Sequence, residues 1–313
     1  MEKIINVFAR HEIKYILSED QRRCVMRGIK DHMIPDPHGM STIRNIYYDT
    51  PDYRLIRKSL DKPIYKEKIR LRSYGRPTED TVVFLELKKK YDGVVHKRRV
   101  EIKEKDAESY MSGAIGLSEL EERIAVISNP QIAREIDYFK NYYGNLKPIV
   151  YLSYDRCAYF SDEDESLRIT FDKNIKWRGE NVRLTEEVGG EDLLKEGESL
   201  MEIKTATALP VWLTKVLSEA GARPASFSKY GNAYRAIIDA VNERKGKEND
   251  KYICEHILER NTDDRGICNQ PSRGAHSGGG NSDSVFLPYG ALKRVSHNSV
   301  VASGDSRSNH YDG

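Results

Sequence analysis

The sequence predicts an α+β fold, an eight-stranded antiparallel β-barrel with helices packed outside it. Three observations carry that expectation. Eight segments have strand character, at about 7–17, 42–49, 64–74, 81–90, 94–102, 149–160, 167–177 and 200–206. In many of them Lys, Arg and Glu recur at every second position, with apolar residues between. Helical patterns fill the gaps between the strands. If such a sheet closes with its apolar face outward under helices, the charges converge inside.

Strand side chains alternate between faces, so each strand sorts its own residues. The first places Arg10, Glu12 and Lys14 on one face and His11, Ile13 and Tyr15 on the other. Ser18-Glu19-Asp20-Gln21 then opens a helix with a capping serine and early acids, and Cys24, Val25, Ile29 and Met33 form its buried stripe. After the second strand, Thr50-Pro51-Asp52 marks another helix start, with proline at the first helical position. The third strand lines up Lys66, Lys68, Arg70 and Arg72. Arg70 and Arg72 present two rigid forks suited to bidentate phosphate contacts, although a basic row also fits an exposed sheet face. In the fourth strand Val83, Leu85 and Leu87 oppose Phe84, Glu86 and Lys88. That apolar row belongs under helices, which turns Glu86 and Lys88 toward water or a tunnel. Asp92-Gly93 is a strong hairpin signal and makes the fourth and fifth strands antiparallel neighbours. On the fifth, Lys97, Arg99 and Glu101 share a face.

Residues 118–128 and 130–143 read as a helical pair. The sixth and seventh strands flank the polar turn 161–166 and supply Arg156 and the row Arg168, Thr170, Asp172. The eighth sets Glu202 beside Lys204. An amphipathic helix over 209–220 closes at Gly221, and a last helix covers 227–241. At its start Ser228 is a capping residue, and Lys229 could reach a phosphate aided by helix N–H groups. Each charged pair taken alone fits a surface salt bridge worth roughly 0–1 kcal/mol. Recurrence on five or six strands argues for a lumen that holds a polyanion and its metal ion. The folded domain is read as residues 1–245 and the remainder, 246–313, as a mostly disordered tail. Residues 262–313 hold 17 Gly or Ser without sustained periodicity, a composition that buries too little surface to offset ordering entropy.

The whole chain of 313 residues carries a net charge of only +2. Affinity for phosphate must therefore come from locally gathered Lys and Arg. No apolar run is long enough to span a membrane, and the first residues do not read as a signal peptide. Cys24, Cys157, Cys254 and Cys268 lack metal-ligand spacing and read as reduced thiols of a cytosolic protein. The eight histidines show no zinc spacing. Aromatic residues are not interleaved on the basic faces, which argues against nucleic acid as a partner.

In order along the chain, several segments carry a family likeness: Arg10-x-Glu12-x-Lys14-Tyr15, Tyr47-Tyr48-Asp49-Thr50, Lys68-x-Arg70-x-Arg72, Glu86-x-Lys88, Tyr154-x-Arg156, Leu167-Arg168, Glu202-x-Lys204 and Phe227-Ser228-Lys229-Tyr230. The series covers about residues 4–240 and resembles the VTC domain, the polyphosphate polymerase branch of the CYTH-like, triphosphate tunnel metalloenzyme superfamily. The resemblance implies an eight-stranded barrel whose lumen binds a triphosphate. It implies Lys14, Arg70, Arg72, Lys88, Arg156, Arg168 and Lys229 as phosphate ligands, and Glu202 as the main ligand of Mn²⁺ or Mg²⁺. Lys97 and Lys204 are added to the binding set from their faces, and Glu86 and Glu12 to the metal set. The hydrolase branch carries Glu-x-Glu-x-Lys on its first strand, and Arg10 stands at the first of those positions here.

The reading from sequence is a metal-dependent polyphosphate polymerase that moves the ATP γ-phosphoryl group onto a growing polyphosphate and releases ADP. Lys14, Lys88, Arg70, Arg72 and Glu202 are its expected catalytic residues. A tunnel open at both ends lets product leave opposite to where nucleotide enters. The expected location is cytoplasmic, peripheral at a membrane through a separate membrane-protein partner. A triphosphate hydrolase of the same fold and a catalytically silent polyphosphate-binding module are the alternatives.

Overall fold

The alternating strands assemble into one curved antiparallel sheet. A computed structural model describes residues 11–124 and 129–243. Its ten strands are β1 (His11–Leu17), β2 (Ile34–Pro35), β3 (Ser41–Asp49), β4 (Tyr65–Tyr74), β5 (Val82–Tyr91), β6 (Val94–Lys103), β7 (Lys147–Phe160), β8 (Arg168–Arg178), β9 (Glu191–Asp192) and β10 (Ser199–Thr205). The main order is β1-β10-β8-β7-β3-β4-β5-β6, with the two-residue β2 and β9 attached to β7 and β8. Helices are α1 (Glu19–Ile29), α2 (Arg54–Leu60), α3 (Glu104–Ser112), α4 (Leu117–Arg123), α5 (Pro130–Tyr143), α6 (Val211–Glu219) and α7, over residues 229–243.

All eight expected strands are present, but the closed eight-stranded barrel is corrected. Among the described residues no ladder joins β1 to β6, so the sheet remains open and has ten strands. The described part of β1 has seven residues against ten in β6. Inward-pointing charges on these two edges, Glu12 and Lys14 against Lys97 and Arg99, act as edge strands commonly do to discourage pairing. Expectations for Arg10, for residues 7–10 and 125–128, and for the tail 246–313 lie outside the described residues.

Face assignment follows the alternation. Ile69, Leu71, Val83, Leu85, Leu87, Val100 and Ile102 are buried with Tyr110, Leu120 and Ile136 of α3, α4 and α5. A second core joins Leu17, Ile169 and Ile203 to Val25 and Ile29 of α1 and Leu213 of α6. A third holds α7, through Phe227, Tyr230 and Ala233, with Ile56, Val150 and Leu152. The first two cores lie on the outer face of the sheet. The third lies on the concave face, because Val150 and Leu152 pair with Tyr47 and Asn45 and these in turn with Arg70 and Arg72. α7 therefore packs inside, and the charged rows occupy the rest of that face. Asp92 and Gly93 both adopt positive φ, 41° and 82°, the conformation a two-residue hairpin turn requires.

Two helices depart from expectation. α2 begins at Arg54 rather than at Thr50-Pro51. The buried Asp49 carboxylate accepts from the N–H groups of Leu55 and Ile56 at 2.8 and 2.9 Å, and so caps the helix from four residues before its N-cap position, Tyr53. α3 was not expected at all. Its opening Glu104-Lys105-Asp106 is charged, while Ala107, Tyr110 and Met111 provide the buried apolar stripe.

Candidate functional site

The concave face encloses a cavity of about 360 Å³. Its walls come from both edges of the sheet, with Glu12 and Lys14 of β1 and Lys97 and Arg99 of β6 bordering the same space. Among the described residues, eleven Lys or Arg line it against three Glu. Of the residues expected there, Lys14, Arg70, Arg72, Lys88, Lys97, Arg156, Lys204, Lys229, Glu12, Glu86 and Glu202 all take part. Arg168 does not. It is half exposed at the neighbouring Asp36, 3.0 Å from that carboxylate, and lines a separate cavity of about 520 Å³. The segment that follows β2 carries Asp36 there, and no local pattern around Arg168 foretells that partner.

Four carboxylates organise the cations. Glu86 accepts from Arg70 Nε at 2.7 Å and from Arg99 Nε at 2.9 Å, and Arg72 Nε lies 3.9 Å away. Burial would raise the Glu86 carboxyl, yet these guanidiniums hold it at about 2. Asp172, just behind the wall and fully buried, accepts a bidentate pair from Arg156 at 2.6 and 2.7 Å and the Lys229 ammonium at 2.5 Å. Burial works against its ionisation, but Lys229 and Arg156 keep its pKa low. Lys14 Nζ stands 3.0 Å from Glu12 and 3.7 Å from Glu202, while Lys204 Nζ is 2.5 Å from the other Glu202 oxygen. Burial opposes the charge on Lys14, and Glu12 and Glu202 raise its pKa nonetheless.

The remaining lysines are different. Among the described residues, Lys68, Lys88 and Lys97 have no carboxylate within salt-bridge distance. Burial depresses all three ammoniums, Lys68 to about 8, and like charges nearby add to the effect. An anion is what such a cluster lacks.

Lys68 and Arg99 lie on the rows expected to face inward, yet their site roles were not singled out from sequence. The signal was available. A two-residue turn at Asp92-Gly93 sets Glu86 opposite Arg99 and Lys88 opposite Lys97, which is the observed register. Tyr47, Tyr154 and Tyr230 were missed as well, and they line the cavity beside the cations. Arg70 Nη1 donates to the Tyr47 hydroxyl at 3.0 Å, and Arg72 donates to Asn45 and to the Tyr154 hydroxyl. Lys229 lies over the Tyr154 ring at 4.3 Å, and Tyr47 stacks on Tyr230 at 4.7 Å. These rings support cations rather than present free faces.

For a divalent ion the donors divide. Glu12 and Glu202 both approach one ammonium, so two carboxylates lie within reach of a single cation. This suits Mg²⁺ or Mn²⁺, which take one or two carboxylates and complete their shell with water and phosphate oxygens. Glu86 is occupied by Arg70 and Arg99. Among the described residues no three His, Cys, Asp or Glu gather as one ligand group, so the three expected carboxylates do not form a single cage.

The VTC domain family matches residues 9–238 of the chain. The chain belongs to that family. Two curated relatives are subunit 4 of the vacuolar transporter chaperone complex, from Trypanosoma brucei brucei and Trypanosoma cruzi. They are 26% identical over 214 residues and 25% identical over 179 residues, covering 57% and 50% of this chain. The matches cover only 27% and 22% of those relatives, so the VTC chain spans about a quarter of their length. The PH1819 protein of Pyrococcus horikoshii aligns with 72% of the chain and 99% of its own length, at 14% identity and a TM-score of 0.36. Among the described residues no helix of the VTC chain is long and apolar enough to cross a membrane.

Proposed function

We propose that this VTC chain is a metal-dependent polyphosphate polymerase. ATP donates its γ-phosphoryl group to orthophosphate or to the end of a polyphosphate chain, and ADP leaves. One observation carries the reading: among the described residues, eleven cations stand against three carboxylates around one cavity, and three of those cations have no carboxylate partner there. Family membership supports it.

Phosphoryl transfer passes through a loose transition state and asks the protein mainly for positioning and charge neutralisation. Arg70 and Arg72 are held by Glu86, Asn45 and the Tyr47 and Tyr154 hydroxyls, so their forks are oriented before substrate arrives. Arg156 is fixed in the same way by Asp172. These three clamp non-bridging oxygens. Lys68, Lys88 and Lys97 neutralise phosphate charge without first giving up an ion pair, and Lys14 and Lys204 work beside Glu202. Glu202 and Glu12 would hold the divalent ion, which would supply Lewis-acid neutralisation of the phosphate oxygens. ATP and inorganic polyphosphate are the small-molecule partners. The chain acts in the cytoplasm, brought to a membrane by a separate membrane protein.

The deciding experiment incubates purified protein with ATP and Mn²⁺, stains for polymer on a gel, and measures ADP and orthophosphate. Polymer appearing in step with ADP, with little orthophosphate, is the expected result. ADP with stoichiometric orthophosphate and no polymer replaces the polymerase with a hydrolase. Tight nucleotide binding without either product, with every divalent ion tried, makes the chain a binding module.

A further inference from the structure

The outer face of the sheet carries an aromatic surface that the central cavity does not use. At the end of the β4–β5 ladder Tyr65 stands opposite Tyr91, and Tyr91 stands opposite Val94 across the hairpin. The hydroxyls of Tyr65 and Tyr143 donate to one carboxylate, that of Glu67, at 2.6 and 2.7 Å, which joins β4 to the end of α5. There the Tyr142 ring lies 5.0 Å from Tyr143 and stacks on Tyr138 at 6.4 Å. Ile64, Tyr91, Tyr138 and Tyr142 are 69%, 61%, 71% and 59% exposed.

Two cations lie against these rings. The Arg54 guanidinium sits 5.8 and 5.2 Å from the ring centroids of Tyr142 and Tyr143, and Lys58 Nζ is 5.8 Å from that of Tyr65. Both are exposed, and among the described residues neither has a carboxylate within salt-bridge distance. Glu67 is engaged by its two hydroxyls, and Asp137 of α5 by Tyr110 and Asn141. At the border Lys62 offsets Asp61, and Asp92 lies in the hairpin turn, so the surface stays net positive. An exposed apolar patch rimmed by charge marks an interaction surface. β4 and β5 are each paired on both sides, so no strand can be added there. Tyr65, Tyr91, Tyr138 and Tyr142 do not line the central cavity or the two beside it. A planar partner asks for neither an edge nor a groove.

We propose that this surface docks on an anionic phospholipid membrane. Tyrosine sets an apolar ring and a polar tip across a membrane–water boundary, and it concentrates there in membrane proteins. Arg54 and Lys58 lay their stems along the rings and leave their charges for the lipid headgroups. Contact of this kind is peripheral, made by side chains without a spanning segment. It goes beyond the polymerase reading and does not depend on it, since none of these residues borders the central cavity. A membrane-protein partner and this surface reinforce each other, because two attachments to one membrane act at high effective concentration.

The test is co-sedimentation of the full chain with phosphatidylcholine vesicles, made with and without phosphatidylserine. Wild type should pellet with the phosphatidylserine vesicles, and less so at high salt. The double variant Tyr138→Ser, Tyr142→Ser should lose about tenfold in vesicle affinity, the scale of withdrawing two rings from the interface. Arg54→Gln with Lys58→Gln should lose about tenfold on phosphatidylserine and little on phosphatidylcholine alone. Tripolyphosphate affinity, read by calorimetry, should stay within about twofold in both variants, because these residues lie outside the central cavity and exposed charges are screened. A melting curve checks folding, and Tyr138→Ser alone, at the most exposed of these rings, keeps the comparison if the double variant unfolds. Equal vesicle binding by wild type and the tyrosine variants overturns the proposal, since the cationic lumen would then be holding the lipid. Failure of wild type to bind either vesicle overturns it as well. So does a dimer in sedimentation velocity that the tyrosine variants abolish, with no vesicle binding. The polymerase reading stands in each of these cases, being tested separately by polymer and ADP.

Discussion

The Lys229 ammonium lies 2.5 Å from a carboxylate oxygen of Asp172, a residue 57 positions earlier in the chain. Asp172 sits on β8 with its side chain about 1% exposed, and Lys229 opens α7. The contact ties the last helix to the wall of the cavity. The same carboxylate orients Arg156, so one buried acid sets two of the cations expected to hold phosphate. Asp172 was visible in the sequence as part of an inward row, but its function as their common anchor was not.

Replacing Asp172 with Asn keeps the shape and removes the charge. Arg156 and Lys229 then remain clustered without their counter-charge, a situation that typically costs about 3–5 kcal/mol in a buried site. Urea unfolding should show a loss of at least about 2 kcal/mol, the lower figure allowing for the partial exposure of Arg156. A midpoint equal to wild type would mean that Asp172 does not anchor these cations.

Glu86 makes stability depend on acid. Its pKa is about 2 in the folded chain against 4.5 unfolded, so between those values the unfolded state binds more protons. Its contribution is fully present above 4.5 and is lost as pH falls toward 2. The stability difference between wild type and Glu86→Gln should therefore be largest near neutrality and shrink through that window. A difference independent of pH would contradict the ion pairs with Arg70 and Arg99.

Lys68 titrates in the opposite sense. Its pKa is about 8 when folded against 10.5 unfolded, so the unfolded chain holds a proton that the folded chain has released. Stability contributed by this group rises with pH across that interval. A bound polyanion restores the proton, and Tyr47, also held at about 8 by Arg70 and Lys68 against the effect of burial, adds to the uptake. Titrating tripolyphosphate at pH 8 in two buffers of different ionisation enthalpy should reveal net proton uptake, smaller in Lys68→Met. Heats that do not depend on buffer would refute it.

Substitutions in the central cavity should separate chemistry from binding. Glu202→Gln removes the charge a divalent ion needs, so ATP turnover should collapse while the melting curve survives. Arg70→Ala should weaken triphosphate binding as well, because a hydrogen bond to a charged group is worth about 1.5–3 kcal/mol. Arg168→Ala, half exposed and paired to Asp36, should cost much less affinity than Arg70→Ala. Equal losses at Arg168 and Arg70 would show that Arg168 swings into the cavity when substrate is present.

Which side each strand residue faces was legible because it depends on the backbone alone. Leu85 and Leu87 alternate with Glu86 and Lys88 in any register, and Asp92-Gly93 fixes one register locally through its positive φ angles. Alternation together with the family resemblance therefore named the three glutamates and most of the lining cations, but not Lys68, Arg98 or Arg99, and it wrongly included Arg168. The capping of α7 by Ser228 was legible for the same reason, since the Ser228 hydroxyl accepts from the Gly231 N–H only three residues on. α3 escaped because its buried positions follow a charged opening, and α2 starts later than its signature because Thr50 and Asp49 reach forward to the N–H groups of Arg54, Leu55 and Ile56.

The tertiary structure alone decided how the charges are shared. Glu86 takes Arg70 and Arg99 from two flanking strands, Asp172 takes Lys229 from a distant helix, and Asp36 draws Arg168 out of the central cavity. It also left β1 and β6 unjoined among the described residues, and left Lys68, Lys88 and Lys97 without carboxylates. Alternation is a property of each strand by itself, so sequence determines it. Ion pairing depends on distances of a few ångströms between segments far apart in the chain, and only the packing of helices and loops against the sheet sets those distances.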